Sequence, residues 1–256
     1  MGSGGAVGPP VVVGVGFLGL WELLVRVLGI DEFLLPKPSS IAAAVGSQWS
    51  VLWEATVQTG IVAVSGLVIG VVAGAVLALI VSRFGWLANV ATPGAAAVNA
   101  TPIVALAPIF NAWFGITGYR SNQAVVITVV FFPVFINTTW GLSAVAADQL
   151  ELMRSYAASG WTILRRVRIP AALPFFLTSL RLGAPLSVIA AIVAEYFGGP
   201  QNRLGPVITQ NASFARYDNA WAAIVMASLL GLVLFALVGA AERLVPWRRP
   251  STMTTG

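Results

Sequence analysis

The sequence predicts an all-α membrane protein with six transmembrane helices. Of its 256 residues, 58% are hydrophobic and only 9% are charged. A soluble domain carries about 25% charge, so most of this surface cannot face water. Apolar runs recur that match the roughly 20 residues a helix needs to cross a bilayer. The few charges are gathered in short segments between those runs, where the positive-inside rule places them.

The first span is expected at Val11–Ile30, with Glu22 and Arg26 four apart on one helix face, where they neutralise each other. Next comes "DEFLLPKPSSIAAAV", where Pro36, Pro38 and Ser39 signal a loop and then a short interfacial helix. The second span, Ala55–Val81, is uncharged and carries Gly66, Gly70 and Gly74 at four-residue spacing. Small residues so spaced form a groove for helix packing. The third, Val90–Phe114, holds Pro93, Pro102 and Pro108 with Asn99, Thr101 and Asn111. Proline frees backbone carbonyls, so a broken, polar helix here either lines a pathway or glues helices together. The fourth span is Gln123–Ala144. The fifth, Pro174–Phe197, contains Arg181 and Glu195, roughly 21 Å apart along an ideal helix and so unable to pair within it. The sixth is Ala220–Leu244. Residues 1–10 read as a flexible tail without the basic start of a secretory signal, 11–249 as one membrane domain and 250–256 as a second tail.

Composition excludes several chemistries. Without cysteine or histidine there is no disulfide, thiol nucleophile, Ser-His-Asp triad or His-ligated zinc. Lys37, the single lysine, lies in "LLPKPSS", which is not a phosphate-binding loop, so the chain does not bind ATP through a Walker A motif. The intramembrane acids are too few and scattered for an enzyme, and no catalytic or metal site is expected. The basic balance is no nucleic-acid signal, because the arginines sit in loops. Counted by side for six spans, eight basic residues (Arg83, Arg154, Arg165, Arg166, Arg168, Arg243, Arg248, Arg249) face four (Lys37, Arg120, Arg203, Arg216). The richer side is expected to be cytoplasmic, with both termini on it.

The segment 146–170 concentrates four of those arginines. Leu150, Met153, Tyr156, Ala157 and Gly160 recur at helical spacing and define an apolar face. Ser159-Gly160 weakens the helix, and Trp161, Leu164 and Arg168 begin another. Ile169 precedes Pro170 and is expected to be extended, turning the chain before the fifth span. Two short helices that display apolar residues among basic ones suit either an anchor on anionic lipid or a lever inserted into a soluble partner.

The segment resembles the EAA loop of permease subunits of binding-protein-dependent ABC importers. That pattern runs Glu-Ala-Ala, three residues, Gly, nine residues, aliphatic, any, aliphatic, Pro. Here Glu151 takes the first place, and nine residues separate Ala157 from Val167-Arg168-Ile169-Pro170. Leu152 and Met153 replace the alanines, and Ala157 replaces the glycine, which moves the expected bend to Gly160. "LWELLVR", "LLPKPSSI", "ATPIVALAPIFNAWFG", "LPFFLTSLRL" and "AEYFGGPQNRLGPVI" resemble the nitrate, sulfonate and taurine branch of these permeases.

The resemblance implies the type I importer permease fold, with 146–170 forming coupling helices. Two ATP-binding subunits would carry the ATP and Mg, with none on this chain. A second permease copy and an extracytoplasmic solute-binding protein complete the assembly in the bacterial inner membrane. Glu151, Met153, Tyr156, Ala157, Gly160, Trp161, Leu164, Arg165 and Pro170 are the expected coupling residues. Asn99, Thr101, Asn111 and Glu195 are candidates for the substrate pathway. The solute would be a nitrate-, sulfonate- or taurine-like anion or a vitamin-precursor heterocycle. The rival reading is an ion- or proton-coupled transporter or channel using Glu195, Glu22 and Arg26. The loop spacing and the absence of an inverted repeat argue against it.

Overall fold

The computed structural model describes residues 8–99 and 102–244. Thr101, Arg248, Arg249, residues 1–7 and the tail 250–256 therefore lie outside the described residues. Every regular element among those described is helical. They are α1 (Gly8–Val27), α2 (Pro38–Ser47), α3 (Trp49–Val81), α4 (Gly85–Asn99), α5 (Ala107–Phe114), α6 (Arg120–Ser143), α7 (Ala147–Ser155), α8 (Gly160–Ile163), α9 (Ile169–Glu195), α10 (Leu204–Ser213) and α11 (Tyr217–Leu244).

Among the described residues, four helical runs are long and apolar enough to cross a membrane: Trp49–Val81, Arg120–Ser143, Gly160–Glu195 and Tyr217–Leu244. The third expected span is not one helix. After α4 a 3₁₀ turn, Ile103–Leu106, leads into α5, whose first turn holds Pro108. Proline has no N–H to donate, so it fits a first turn and interrupts an interior.

The residues fall into two compact units, one running to Thr59 and including Pro200–Leu229, the other comprising Gly60–Gly199 and continuing from Leu230. In the first, Glu22 does more than neutralise Arg26. Its carboxylate lies 2.6 Å from Arg26 Nη2 and accepts hydrogen bonds from Ser39 N at 3.0 Å and Ser39 Oγ at 2.8 Å, pinning α1 to the start of α2. Trp21 meets Trp221 edge-on at 5.8 Å, and Thr59 Oγ1 accepts from Leu204 N at the start of α10.

In the second unit, α3, α6 and α9 pack at close range. A Cβ on Gly66 would lie 2.6 Å from Val126; on Gly70 or Gly74 it would lie 2.9 Å from the carbonyl of Ile127 or Phe131. These glycines therefore bring α3 against the backbone of α6. Gly141 does the same for α9, since its Cβ would fall 2.8 Å from Ala172 Cα. Below this contact Ala78, Val81, Phe135, Ile136, Leu142, Leu164 and Ala172 form a buried cluster.

Two sequence expectations fail at the start of the fifth span. Ile169 is helical (φ −63°, ψ −47°), and no turn occurs at Pro170. Instead Leu164–Arg168 forms a π turn, in which Ile169 N–H donates to Leu164 O, and the helix continues unbroken into α9. A π turn inserts one residue into a helix. It falls in the turn before Pro170, where an uninterrupted α-helix would set the proline ring against a carbonyl. Arg181, in turn, is paired: its guanidinium lies 3.9 Å from Glu242 and 4.7 Å from the centre of the Phe235 ring.

Candidate functional site

The segment 146–170 forms two short helices, α7 and α8, separated by a four-residue break. The bend lies at Ala157, not at Gly160. Ala157 adopts φ 51°, the left-handed conformation that ends α7, and Ala158 N closes back on Met153 O at 3.0 Å. Gly160 instead starts α8, and Ser159 caps it, its hydroxyl accepting from Thr162 N at 3.3 Å. The 6→1 closure takes the residue at its corner into the left-handed region whatever its identity. An L-residue there costs about 1–2 kcal/mol. Ala157→Gly is therefore expected to raise thermal stability by up to about 1 kcal/mol. A melting curve unchanged or lowered relative to wild type would show that Ala157 is unstrained.

The two helices present a projecting apolar surface. Tyr156 is 77% exposed, Trp161 60% and Leu152 57%. Glu151, Arg154, Gly160, Arg165, Arg166 and Pro170 are exposed around them, and Met153 is half-buried. Leu164 is the exception among the expected coupling residues. It is 7% exposed and inserts into the cluster with Val81 and Leu142, so it holds the segment to its own bundle and offers nothing to a partner. Arg168 adds a second tether, donating from Nη1 to Ser82 O at 3.2 Å. Trp161 is thus carried on a helix continuous with α9, while Leu152 and Tyr156 lie before the break that precedes it.

Of the pathway candidates, Asn111 bonds the turn that directly follows Glu195 at the end of α9. Asn99 is exposed at the end of α4. Asn111 is buried on α5 and donates from Nδ2 to Phe197 O at 3.0 Å, while its Oδ1 is buried without a hydrogen-bond partner among the described residues. Asn122, which the sequence did not single out, donates to Gly198 O at 3.1 Å. Two asparagines thereby hold consecutive carbonyls of the turn after α9. Gly198 (φ 152°) fits only as glycine, since a Cβ would lie 2.8 Å from Ile116 Cγ1. Glu195, at the last turn of α9, is 2% exposed.

Asn122→Leu keeps the helix but leaves the Gly198 carbonyl without its donor, a loss of about 1–3 kcal/mol for a buried acceptor. Faster amide hydrogen exchange in Tyr196–Gly199 is expected. Exchange unchanged there would show that the turn does not depend on this bond.

Arg203 was counted from the sequence among the loop charges. In the first unit it is 3% exposed at the start of α10. The sequence signal was its place in "GGPQNRLGP", directly ahead of a helix start.

Residues 66–247 match the family described as binding-protein-dependent transport system inner membrane component. The formylaminopyrimidine transport permease protein of Halalkalibacterium halodurans is 32% identical, over 90% of this chain and 92% of its own length. The riboflavin transport system permease protein of Chloroflexus aurantiacus is 30% identical, over 94% of this chain and 89% of its own. The crystal structure of an amino acid ABC transporter with histidines aligns at a TM-score of 0.62 and 18% identity, covering 79% of this chain and 98% of that one, a likeness of fold. The helical architecture, the apolar spans and these relatives agree, and the chain belongs to the inner-membrane component family of binding-protein-dependent transport systems, as an ABC importer permease of the nitrate, sulfonate and taurine branch.

Proposed function

We propose that the segment 146–170 is the lever through which a separate ATP-binding subunit moves this permease. The carrying observation is the exposed trio Leu152, Tyr156 and Trp161 on helices tied to the bundle by Leu164 and Arg168. A large apolar surface flanked by charge suits insertion into a partner's groove. Because the run Gly160–Glu195 is one continuous helix, force applied at Trp161 is transmitted along α9 to the buried Glu195 and the turn after it. Six spans follow in this reading: α1, α3, the broken pair α4–α5, α6, α9 and α11. Both termini lie in the cytoplasm with the arginine-rich segment.

The working assembly is two permease copies, two ATP-binding subunits that hold ATP and Mg, and an extracytoplasmic solute-binding protein. This chain binds no cofactor in that scheme. The two relatives described above are named for heterocycles, a formylaminopyrimidine and riboflavin. The described spans carry few arginines away from their ends, which favours a neutral or heterocyclic vitamin precursor over a small anion.

Uptake of such a solute into vesicles containing the full complex tests the scheme. Vanadate, or a Walker B substitution in the ATP-binding subunit, is expected to stop uptake. Uptake that continued, driven by an ion gradient alone, would instead establish the ion-coupled transporter.

A further inference from the structure

The second unit contains a cavity of about 190 Å³ lined by Ala75, Leu79, Thr138, Leu142, Ile169, Ala172, Leu173 and Phe176. All eight residues belong to helical runs long and apolar enough to span the membrane. The groove therefore opens within the bilayer zone, where the molecules at hand are lipids. Seven of the eight lining side chains are apolar. An apolar cavity of this size does not hold water and takes up hydrocarbon.

Charge at one end of the groove identifies the headgroup. Arg168 directly precedes the wall residue Ile169 and reaches Ser82 O, three residues beyond the wall residue Leu79. Its guanidinium is therefore held at the end of the groove where α3 stops. Arg83 follows Ser82 and is exposed, as are Arg165 and Arg166 on the π turn. No acidic residue occurs in 75–84, 134–143 or 160–176, the three stretches that form the groove and its mouth.

The geometry points to a binding site for an anionic phospholipid, with one acyl chain in the groove and the phosphate at Arg168, Arg83 and Arg165. The site lies at the root of the 146–170 arm, between α3 and the start of α9. Its occupant would brace the junction through which that arm meets the bundle. This goes beyond the coupling proposal and stands without it, because the groove and the arginines are features of the permease alone.

Native mass spectrometry of the full chain in mild detergent, titrated with phosphatidylglycerol or phosphatidylcholine of the same acyl chains, tests the site. Wild type is expected to retain phosphatidylglycerol about fivefold more tightly, since an interfacial arginine attracts anionic lipid by roughly this factor. Inorganic phosphate should not compete, which separates a lipid from a free phosphate site. Ala75→Phe fills the groove and is expected to lose the bound lipid; should it fail to assemble, Leu173→Phe closes the same groove from α9. The triple substitution Arg83→Gln, Arg165→Gln and Arg168→Gln is expected to equalise the two lipids without reducing phosphatidylcholine binding. Equal retention of both lipids by wild type, or undiminished phosphatidylglycerol on the filled variant, overturns the proposal. So does a wild-type dimer without lipid that Ala75→Phe splits, which would make the groove a contact with a second copy of the chain.

Discussion

Trp161→Ala is expected to release the ATP-binding subunit while leaving the permease folded in the membrane. Trp161 is 60% exposed, so its removal opens no cavity in the bundle. Its neighbour Leu164, not Trp161, supplies the packing that holds the segment down. A tryptophan at the centre of an interface costs about 2 kcal/mol or more when truncated, or roughly 30-fold in affinity. Co-purification with the ATP-binding subunit should fall accordingly, and solute-stimulated ATP hydrolysis with it. Leu164→Ala provides the contrast: it should lower thermal stability by about 2–5 kcal/mol, as deletion of a buried leucine does. A Trp161→Ala complex that purified intact and hydrolysed ATP normally would remove this surface from the interface.

Gly70→Leu is expected to prevent α3 from seating on α6. Even a Cβ at this position would lie 2.9 Å from Ile127 O and 3.1 Å from Val130 Cβ. The first of these is backbone, which cannot rotate aside as a side-chain tip can. Overpacking of this kind costs about 1–3 kcal/mol where the structure relaxes, and more where it cannot. Small residues at helix contacts matter more in lipid, because apolar burial gives little drive there and close packing carries the association. Loss of monodisperse protein in mild detergent is the expected result. Gly231→Leu, on α11 where a Cβ would meet nothing within 4 Å, is the matched control and should behave as wild type. Equal behaviour of the two variants would show that α3 and α6 tolerate separation.

Much of this was legible in the residues. Runs of apolar residue types interrupted by arginine reveal membrane spans because the bilayer core admits few charges, whatever the packing. The spacing of Gly66, Gly70 and Gly74 places them on one helix face by geometry alone, although nothing in it names α6 as the neighbour. The broken third span was visible for a similar reason, since Pro102 and Pro108 remove donors wherever they stand. Glu22 with Arg26 was visible as an i, i+4 pair; its bonds to Ser39, seventeen residues away, were not.

The misreadings share a cause. Pro170 was read by the local rule that a residue before proline is extended, but a π turn upstream accommodates the ring and the helix runs on. Gly160 was read as the bend because glycine is the permissive residue, yet closure of α7 falls on Ala157. Leu164 was expected among the coupling residues by the family resemblance, and the core of the second unit claims it. Arg203 was counted as a solvated loop charge and is buried.

Taken alone, the sequence determined that this chain lives in a membrane, roughly where four of its long apolar helices lie, and which segment carries the family's loop spacing. Those properties follow from residue type and interval, which survive any arrangement of the helices. Only the tertiary structure decided which side chains of that segment face outward, which asparagines hold the turn after α9, and where a groove opens beside the arginines. Each of these depends on what stands opposite a residue, and the neighbours come from positions as far apart in the chain as Ser82 and Arg168 or Asn111 and Phe197.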